Sequence, residues 1–457
     1  MFFARVKTPG IAHIAYIIGD DGQAAVVDPR RDVDEYIEML ENNSLRLKYV
    51  LETHRQEDFE MGSASLRRLT GAEIVAAADE VTAHADVRLN DGDEIQIGNV
   101  RLRALRTPGH TPESICYAVF LADDPDHAWG VFTGDALFIG DTGRTDLIDE
   151  NKTAENAECL YHGLHDKIFP LGDQALVLPA HGAGSACGGN VADRDESTLG
   201  IERQSNAVGV MNSTEFVKHK MSERNPRPPY FTLMENVNLE AGRPLDLRPV
   251  PWLRAEEFSQ RSRDGIIVDT REAEAFAGGH IPDSYSVWLE GLPQYGGWIK
   301  DEDTPIYLVL ERSSDLDEAR LSLARIGRDK IAGVLAGGFT SWRSANMPIE
   351  MSGTLSAKQL SETLDQYTVL DVRAITEFEG GHIPGAKHRQ VGDLESHLEK
   401  LQLDREARIA VICSVGHRGS LGVSILMRHG YRNVFNVLGG MSAWQLSPDA
   451  PLSTESP

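Results

Sequence analysis

The chain has 457 residues, 41% hydrophobic and 25% charged, with 45 basic against 70 acidic side chains and a formal net charge of -25. That length exceeds what one hydrophobic core serves and predicts about three domains, and the composition is that of an ordinary globular protein. The acidity excludes nucleic acid and an anionic membrane surface as partners, because both would repel it.

No apolar run reaches the ~18 residues that a bilayer span requires. Met1 to Gly10 lack the charged start and long apolar stretch of a signal peptide, so a cytoplasmic protein is expected. Cys116, Cys159, Cys187 and Cys413 show neither paired spacing nor a Cys-x-x-Cys. A disulfide framework and a Cys-rich zinc site are therefore not expected, and a cysteine with a role acts alone.

Residues 1–240 are predicted to form the first domain. Ile14–Ile18 and Ala24–Asp28 flank Gly19-Asp-Asp-Gly22 as a hairpin, Val33–Asn42 has helical spacing, and Asp28-Pro-Arg reads as a strand-end turn in preference to a surface near a site. After the strand Tyr49–Leu51 comes Leu51-Glu-Thr-His-Arg-Gln-Glu-Asp-Phe59, which puts His54 and Asp58 at a strand-to-helix turn. Closely spaced imidazoles and carboxylates in such a turn can converge on a metal ion. Further candidates follow in Thr107-Pro-Gly-His110, Thr133-Gly-Asp135 and Leu178-Pro-Ala-His181. Between the last two, Asn151–Phe169 is predicted to be a helix returning to the strand that delivers His181.

These four loops resemble, in order and interval, the ligand loops of the metallo-β-lactamase superfamily, whose first motif is Thr-His-x-His-x-Asp-His. The resemblance implies an αββα sandwich. In the two-zinc hydrolases of that superfamily the equivalents of His54, Gln56, His110 and Asp135 hold one ion, and those of Asp58, Phe59, Asp135 and His181 the other. A phenyl ring cannot coordinate and an amide does so weakly, so each zinc site here has lost a ligand. Mononuclear non-haem Fe(II) needs two histidines and a carboxylate on one face, with open positions beside them. His54, His110 and Asp135 supply that set.

The chain is thus similar to the persulfide dioxygenases, the branch that uses this triad, and Gly143-Arg-Thr-Asp146 matches a further motif of that branch. The resemblance implies Fe(II), with Zn(II) as the alternative, a low-molecular-weight thiol persulfide and O2 as substrates, and sulfite as product. It leaves Asp58 and His181 as supporting groups or ligands of a second metal, and gives Arg144 the substrate's anionic end. Cys187, in the Gly-rich loop after His181, is either a second persulfide-carrying thiol or a small buried residue. Cys116 and Cys159 are expected in the core.

The cluster Asn225-Pro-Arg-Pro-Pro-Tyr-Phe231 breaks regular structure, and the domain end is placed near 240 with a linker over 241–250. Beyond it the chain repeats. Val268-Asp-Thr-Arg through Gly279-His-Ile-Pro282 matches Leu370-Asp-Val-Arg through Gly381-His-Ile-Pro384. The offset is 102 both for Asp371 less Asp269 and for His382 less His280. It also pairs Gly337-Gly-Phe-Thr-Ser-Trp342 with Gly439-Gly-Met-Ser-Ala-Trp444. Such a period is a domain duplication, and alternating β-rich and amphipathic helical stretches predict α/β domains with parallel sheets over 251–352 and 353–457.

Both units resemble the rhodanese domain, a sulfur-transfer module. In the second, a strand ends at Cys413-Ser-Val-Gly-His-Arg418 and a helix is expected over Ser420–His429. Backbone N–H groups and a helix N-terminus around Cys413 favour anionic sulfur, with Arg418 as an anion-binding partner. Four residues separate Cys413 from Arg418, the rhodanese spacing, whereas the related phosphatases use five. In the first unit Glu311 and Leu316 stand at these positions, so that unit is expected to be an inactive scaffold.

The expected function is a persulfide dioxygenase fused to a sulfurtransferase, acting on small molecules (persulfide, O2, sulfite or thiosulfate) without nucleic acid or membrane; a homo-oligomer is compatible with this. The alternatives are a zinc-dependent thioesterase of the glyoxalase II kind fused to rhodanese, and a non-oxidative persulfide carrier.

Overall fold

The computed structural model describes residues 1–246, 248–299, 303–446 and 450–454. Outside the described residues lie 247 of the expected linker, 300–302 of the second expected domain, and 447–449 and 455–457 of the third. The chain divides into two compact units, Met1–Asp246 with Ala324–Gly327, and Leu247–Leu323 with Arg328–Pro457.

In the first unit, β1 (Phe2–Thr8), β2 (His13–Asp20), β3 (Gln23–Val27), β4 (Arg46–Leu51), β5 (Glu73–Ala77) and β6 (Val87–Leu89) form one sheet in that order. A second sheet runs in the order β11, β10, β9, β8, β7, from β7 (Glu94–Ile97), β8 (Val100–Arg106), β9 (Ile115–Leu121), β10 (Asp124–Gly134) and β11 (Leu176–Pro179). The alternation along β3 explains the layering. Ala25 and Val27 join Leu102, Tyr117 and Phe132 between the sheets, while Ala24 and Val26 face Tyr36 and Leu40 of the helix Asp34–Asn42. Successive side chains point to opposite faces, and both faces here are covered. On the far side the helix Thr153–Gly163 packs Leu160 against Cys116 and Val131. This is the αββα sandwich expected. Cys159, expected in the core, is exposed on that helix, because it lies on the face opposite Leu160 and Ala157.

The second unit holds two five-stranded, all-parallel sheets. β12 (Trp252–Leu253), β13 (Ile266–Asp269), β14 (Tyr285–Ser286), β15 (Ile306–Val309) and β16 (Ile331–Leu335) run in the order β12, β16, β15, β13, β14. β17 (Gly353–Ser356), β18 (Thr368–Asp371), β19 (Lys387–His388), β20 (Ile409–Ile412) and β21 (Val434–Leu438) repeat it as β17, β21, β20, β18, β19.

The repeated motif has a structural cause. Arg271 donates to both carboxylate oxygens of Asp269 and to Gly279 O, and Arg373 makes the same bonds to Asp371 and Gly381 O. His280 stacks on Phe276 at 3.8 Å and His382 on Phe378 at 3.7 Å, each with Nδ1 on the backbone oxygen of its stacking partner. The Asp-x-Arg and Gly-His-Ile-Pro motifs therefore tie the strand end to the following turn in both halves. The two halves also share one core, in which Tyr285, Leu292 and Tyr295 pack with Leu394, Leu421 and Leu426.

Arg373→Ala leaves the Asp371 carboxylate buried and unpaired, a change that costs about 3–5 kcal/mol. Urea denaturation followed by far-ultraviolet circular dichroism should show that loss in the transition carrying the second rhodanese-like half.

Candidate functional site

The polar residues of the first unit gather where four segments leave their strands. His54 follows β4, His110 sits between β8 and β9, Asp135 follows β10, and His181 follows β11. All four side chains are buried. His110 Nε2 lies 3.4 Å and His54 Nε2 3.8 Å from Asp135 Oδ2, and the two imidazole rings are 5.1 Å apart, nearly perpendicular. None of these three atoms has a hydrogen-bond partner. Buried polar atoms are almost always paired, so several orphans facing one another are what a cation site leaves behind.

The other ring nitrogens explain the orientation. His54 Nδ1 donates to Thr53 Oγ1 at 2.9 Å, and Thr53 gives its hydroxyl and amide hydrogens to Asp28, each at 2.8 Å. His110 Nδ1 donates to Arg144 O at 2.9 Å. Each ring therefore turns its Nε2 inward, the nitrogen that a metal ion would bind. Asp28 is more than the strand-end turn expected of it: with φ of 49° it turns back, and its carboxylate carries the Thr53–His54 chain. Burial raises the Asp28 carboxyl to about 7.

Charge is concentrated here. Burial holds His54 down at about 3. Burial lowers His110 as well, but the Glu57 and Asp135 carboxylates outweigh it and push this imidazole up to about 9. Asp135 stays well below the ordinary carboxylate range, its burial overcome by His181 and His54. A cation among these donors would take the place of the proton on His110.

Asp58 and His181 form a neighbouring group. His181 places Nδ1 2.7 Å from Asp135 Oδ1 and Nε2 2.9 Å from Asp58 Oδ2. Phe59 fills the place of the lost ligand, buried against the His13 ring at 4.1 Å and the His181 ring at 6.2 Å. Cys187 is buried beside this group, with Sγ 3.8 Å from Glu57 Oε1; burial and then Asp58, Glu57 and Asp135 push its thiol well up. Arg144 is buried and commits its guanidinium to both oxygens of Asp146 and to the backbone oxygens of Asn225 and Pro226. Its contact with the site is the carbonyl that accepts from His110.

At the second candidate site Cys413 follows β20, buried, and the Gly416 amide donates to its Sγ at 3.0 Å. The helix begins at His417, three residues before the expected start, which brings its N-terminus into the Cys413 loop. Arg418 is held by Glu377 at 2.6 and 2.8 Å and by Ser414 Oγ at 2.5 Å. Burial raises the Glu377 carboxyl, but the Arg418 bonds outweigh it and hold it at about 2. The guanidinium charge is thus already balanced, and Arg418 fixes the loop. The first rhodanese-like half reaches this loop: Trp288 stacks on His417 at 4.8 Å, and Glu272 Oε2 lies 3.1 Å from His417 Nε2. Glu311, at the position of Cys413, is exposed.

Sequence reasoning missed Glu57, Glu377, Trp288 and Glu272. Glu57 stands in a spacer of the metal motif, where only its acidity marked it. The others come together by long-range packing that no local pattern records.

Comparison with known proteins agrees with this architecture. The profile of the Metallo-beta-lactamase superfamily matches residues 9–181, and that of the Rhodanese-like domain matches 254–345 and 356–447. The fold is a metallo-β-lactamase sandwich followed by two rhodanese domains. The Bos taurus protein named Persulfide dioxygenase ETHE1, mitochondrial, is 32% identical over 230 residues, which are 50% of this chain and 83% of that one. The chain belongs to the persulfide dioxygenase family. A weaker match, Hydroxyacylglutathione hydrolase of Albidiferax ferrireducens, is 33% identical over 166 residues, 36% of this chain and 60% of that one. A crystal structure titled as a metallo-beta-lactamase from Staphylococcus aureus covers 73% of this chain and 98% of its own, with a TM-score of 0.66 and 28% identity. Among the described residues no helix is long and apolar enough to cross a membrane.

Thr53→Val cuts the chain from Asp28 to His54. Loss of such an outer partner lowers metal affinity about 10- to 100-fold, and competition with a chromophoric chelator measures it.

Proposed function

We propose that the chain oxidises a low-molecular-weight thiol persulfide with O2 at the first site and transfers sulfane sulfur at the second. Residues 1–240 are assigned the dioxygenase role, 251–352 that of an inactive rhodanese scaffold and 353–457 that of the active rhodanese, with 241–250 as linker. The observation that carries the oxidative half is the set of buried donors His54 Nε2, His110 Nε2 and Asp135 Oδ2, none of which makes a hydrogen bond. The donor set is two imidazoles and a carboxylate, which suits Fe(II) with open positions, and Phe59 in place of a histidine disfavours a zinc pair. A ferrous ion supplies the electron coupling that lets triplet oxygen react with closed-shell sulfur.

The chain's own groups do the rest. Thr53 and the Arg144 carbonyl fix the two imidazoles, and Asp135 holds His181 with its second oxygen. The overall reaction is RSSH + O2 + H2O giving RSH + SO3²⁻ + 2H⁺. At the second site the Cys413 thiolate takes the outer sulfur of a donor, breaking its S–S bond. Sulfite then attacks the terminal sulfur of that Cys413 persulfide, leaving thiosulfate and the restored thiolate. The Gly416 amide and the helix N-terminus face that sulfur, Arg418 and Glu377 hold the loop in shape, and the Trp288–His417 stack walls one side.

On glutathione persulfide, His110→Ala should abolish oxygen uptake on an oxygen electrode while leaving sulfur transfer to cyanide intact. Cys413→Ser should do the reverse and stop thiosulfate formation at sulfite. A native protein that carries zinc and cleaves acyl-thiols without consuming oxygen would replace this reading with a thioesterase.

A further inference from the structure

Glu57 is absent from the triad that the family resemblance supplies, yet it stands closest to it. Its Oε1 lies 2.6 Å from His110 Nε2, nearer than Asp135 does at 3.4 Å. One donor atom from each of His54, Glu57, His110 and Asp135 lies within 4.8 Å of the other three. Donors at right angles on a shared ion, each ~2.1 Å from it, sit about 3 Å apart. The spacing of Glu57, His110 and Asp135 has that scale.

A plain ion pair between Glu57 and His110 is the simpler explanation, but it accounts for one carboxylate oxygen only and leaves His54 Nε2 and Asp135 Oδ2 without hydrogen bonds. The second oxygen of Glu57 has no hydrogen bond either, and the side chain is only 2% exposed. A buried carboxylate with an orphaned oxygen is costly unless a cation lies against it.

We propose that Glu57 is a fourth protein ligand, so that the ion is bound through two imidazoles and two carboxylates. This rests on the metal reading of the His54, His110 and Asp135 site. A second carboxylate removes one positive charge from the centre and one open position from the coordination sphere, which leaves room for oxygen and a persulfide bound by a single sulfur atom. Chelation by the substrate's sulfur and a second group is then excluded.

The test uses the full chain as wild type, Glu57→Gln and Glu57→Ala, loaded anaerobically with Fe(II). Bound iron is measured by mass spectrometry after desalting, Fe(II) affinity by chelator competition, and the site by electron paramagnetic resonance of its nitric oxide adduct. Thermal melts report folding, and the isosteric Gln variant keeps the packing if the Ala variant unfolds. The expected result is a loss of affinity of at least about tenfold, with an altered resonance from whatever iron remains. Wild-type affinity and an unchanged resonance in both variants would overturn the Glu57 assignment and leave the triad standing. A wild type that binds no iron, and whose metal content His110→Ala does not change, would remove the reading beneath it as well.

Discussion

Three buried donor atoms that no hydrogen bond satisfies define the first unit. His54, His110 and Asp135 are each held from behind, by Thr53, by the Arg144 carbonyl and by His181 respectively, so that their remaining atoms face one another. Removing such groups from water without pairing them is expensive, and a protein sustains the cost where something else supplies the missing charge. The sandwich makes the arrangement possible because its strands end at one edge, where short loops leave little freedom to retreat. Asp28 and Thr53 extend that rigidity a step further from the centre.

The second unit is built differently, with one scaffold used twice and the cysteine loop present in a single copy. Asp269 with Arg271 and Asp371 with Arg373 make the same contacts, and the strand orders are the same, so these motif residues serve the fold. The difference lies in the loop that begins at Cys413 in one half and Glu311 in the other. The half without a nucleophile still contributes, because it shares a hydrophobic core with its sibling and lends Trp288 and Glu272 to the wall beside His417. The joint is close, since a side-chain atom on Gly392 would meet the Trp298 ring at 2.4 Å.

Much of this was legible in the chain itself, for reasons that differ from residue to residue. His54, His110, Asp135 and His181 lie in four motif-bearing loops, and the duplication is visible because both halves keep the residues that tie strand to turn. Cys413 was legible from the strand, loop and helix around it. Arg144 and Arg418 were legible as arginines in functional motifs, but their carboxylate partners Asp146 and Glu377 were not. Glu57 was hidden because a family pattern treats its position as a spacer. Cys159 was misplaced because helical context does not specify which face of the helix meets the core.

The most direct measurement is X-ray absorption at the iron and zinc edges of protein purified from its native host. One iron per chain is predicted, surrounded by nitrogen and oxygen donors that include two imidazoles, with no sulfur neighbour in the resting protein. Zinc as the main metal, or an iron with a sulfur scatterer at about 2.3 Å, would contradict it.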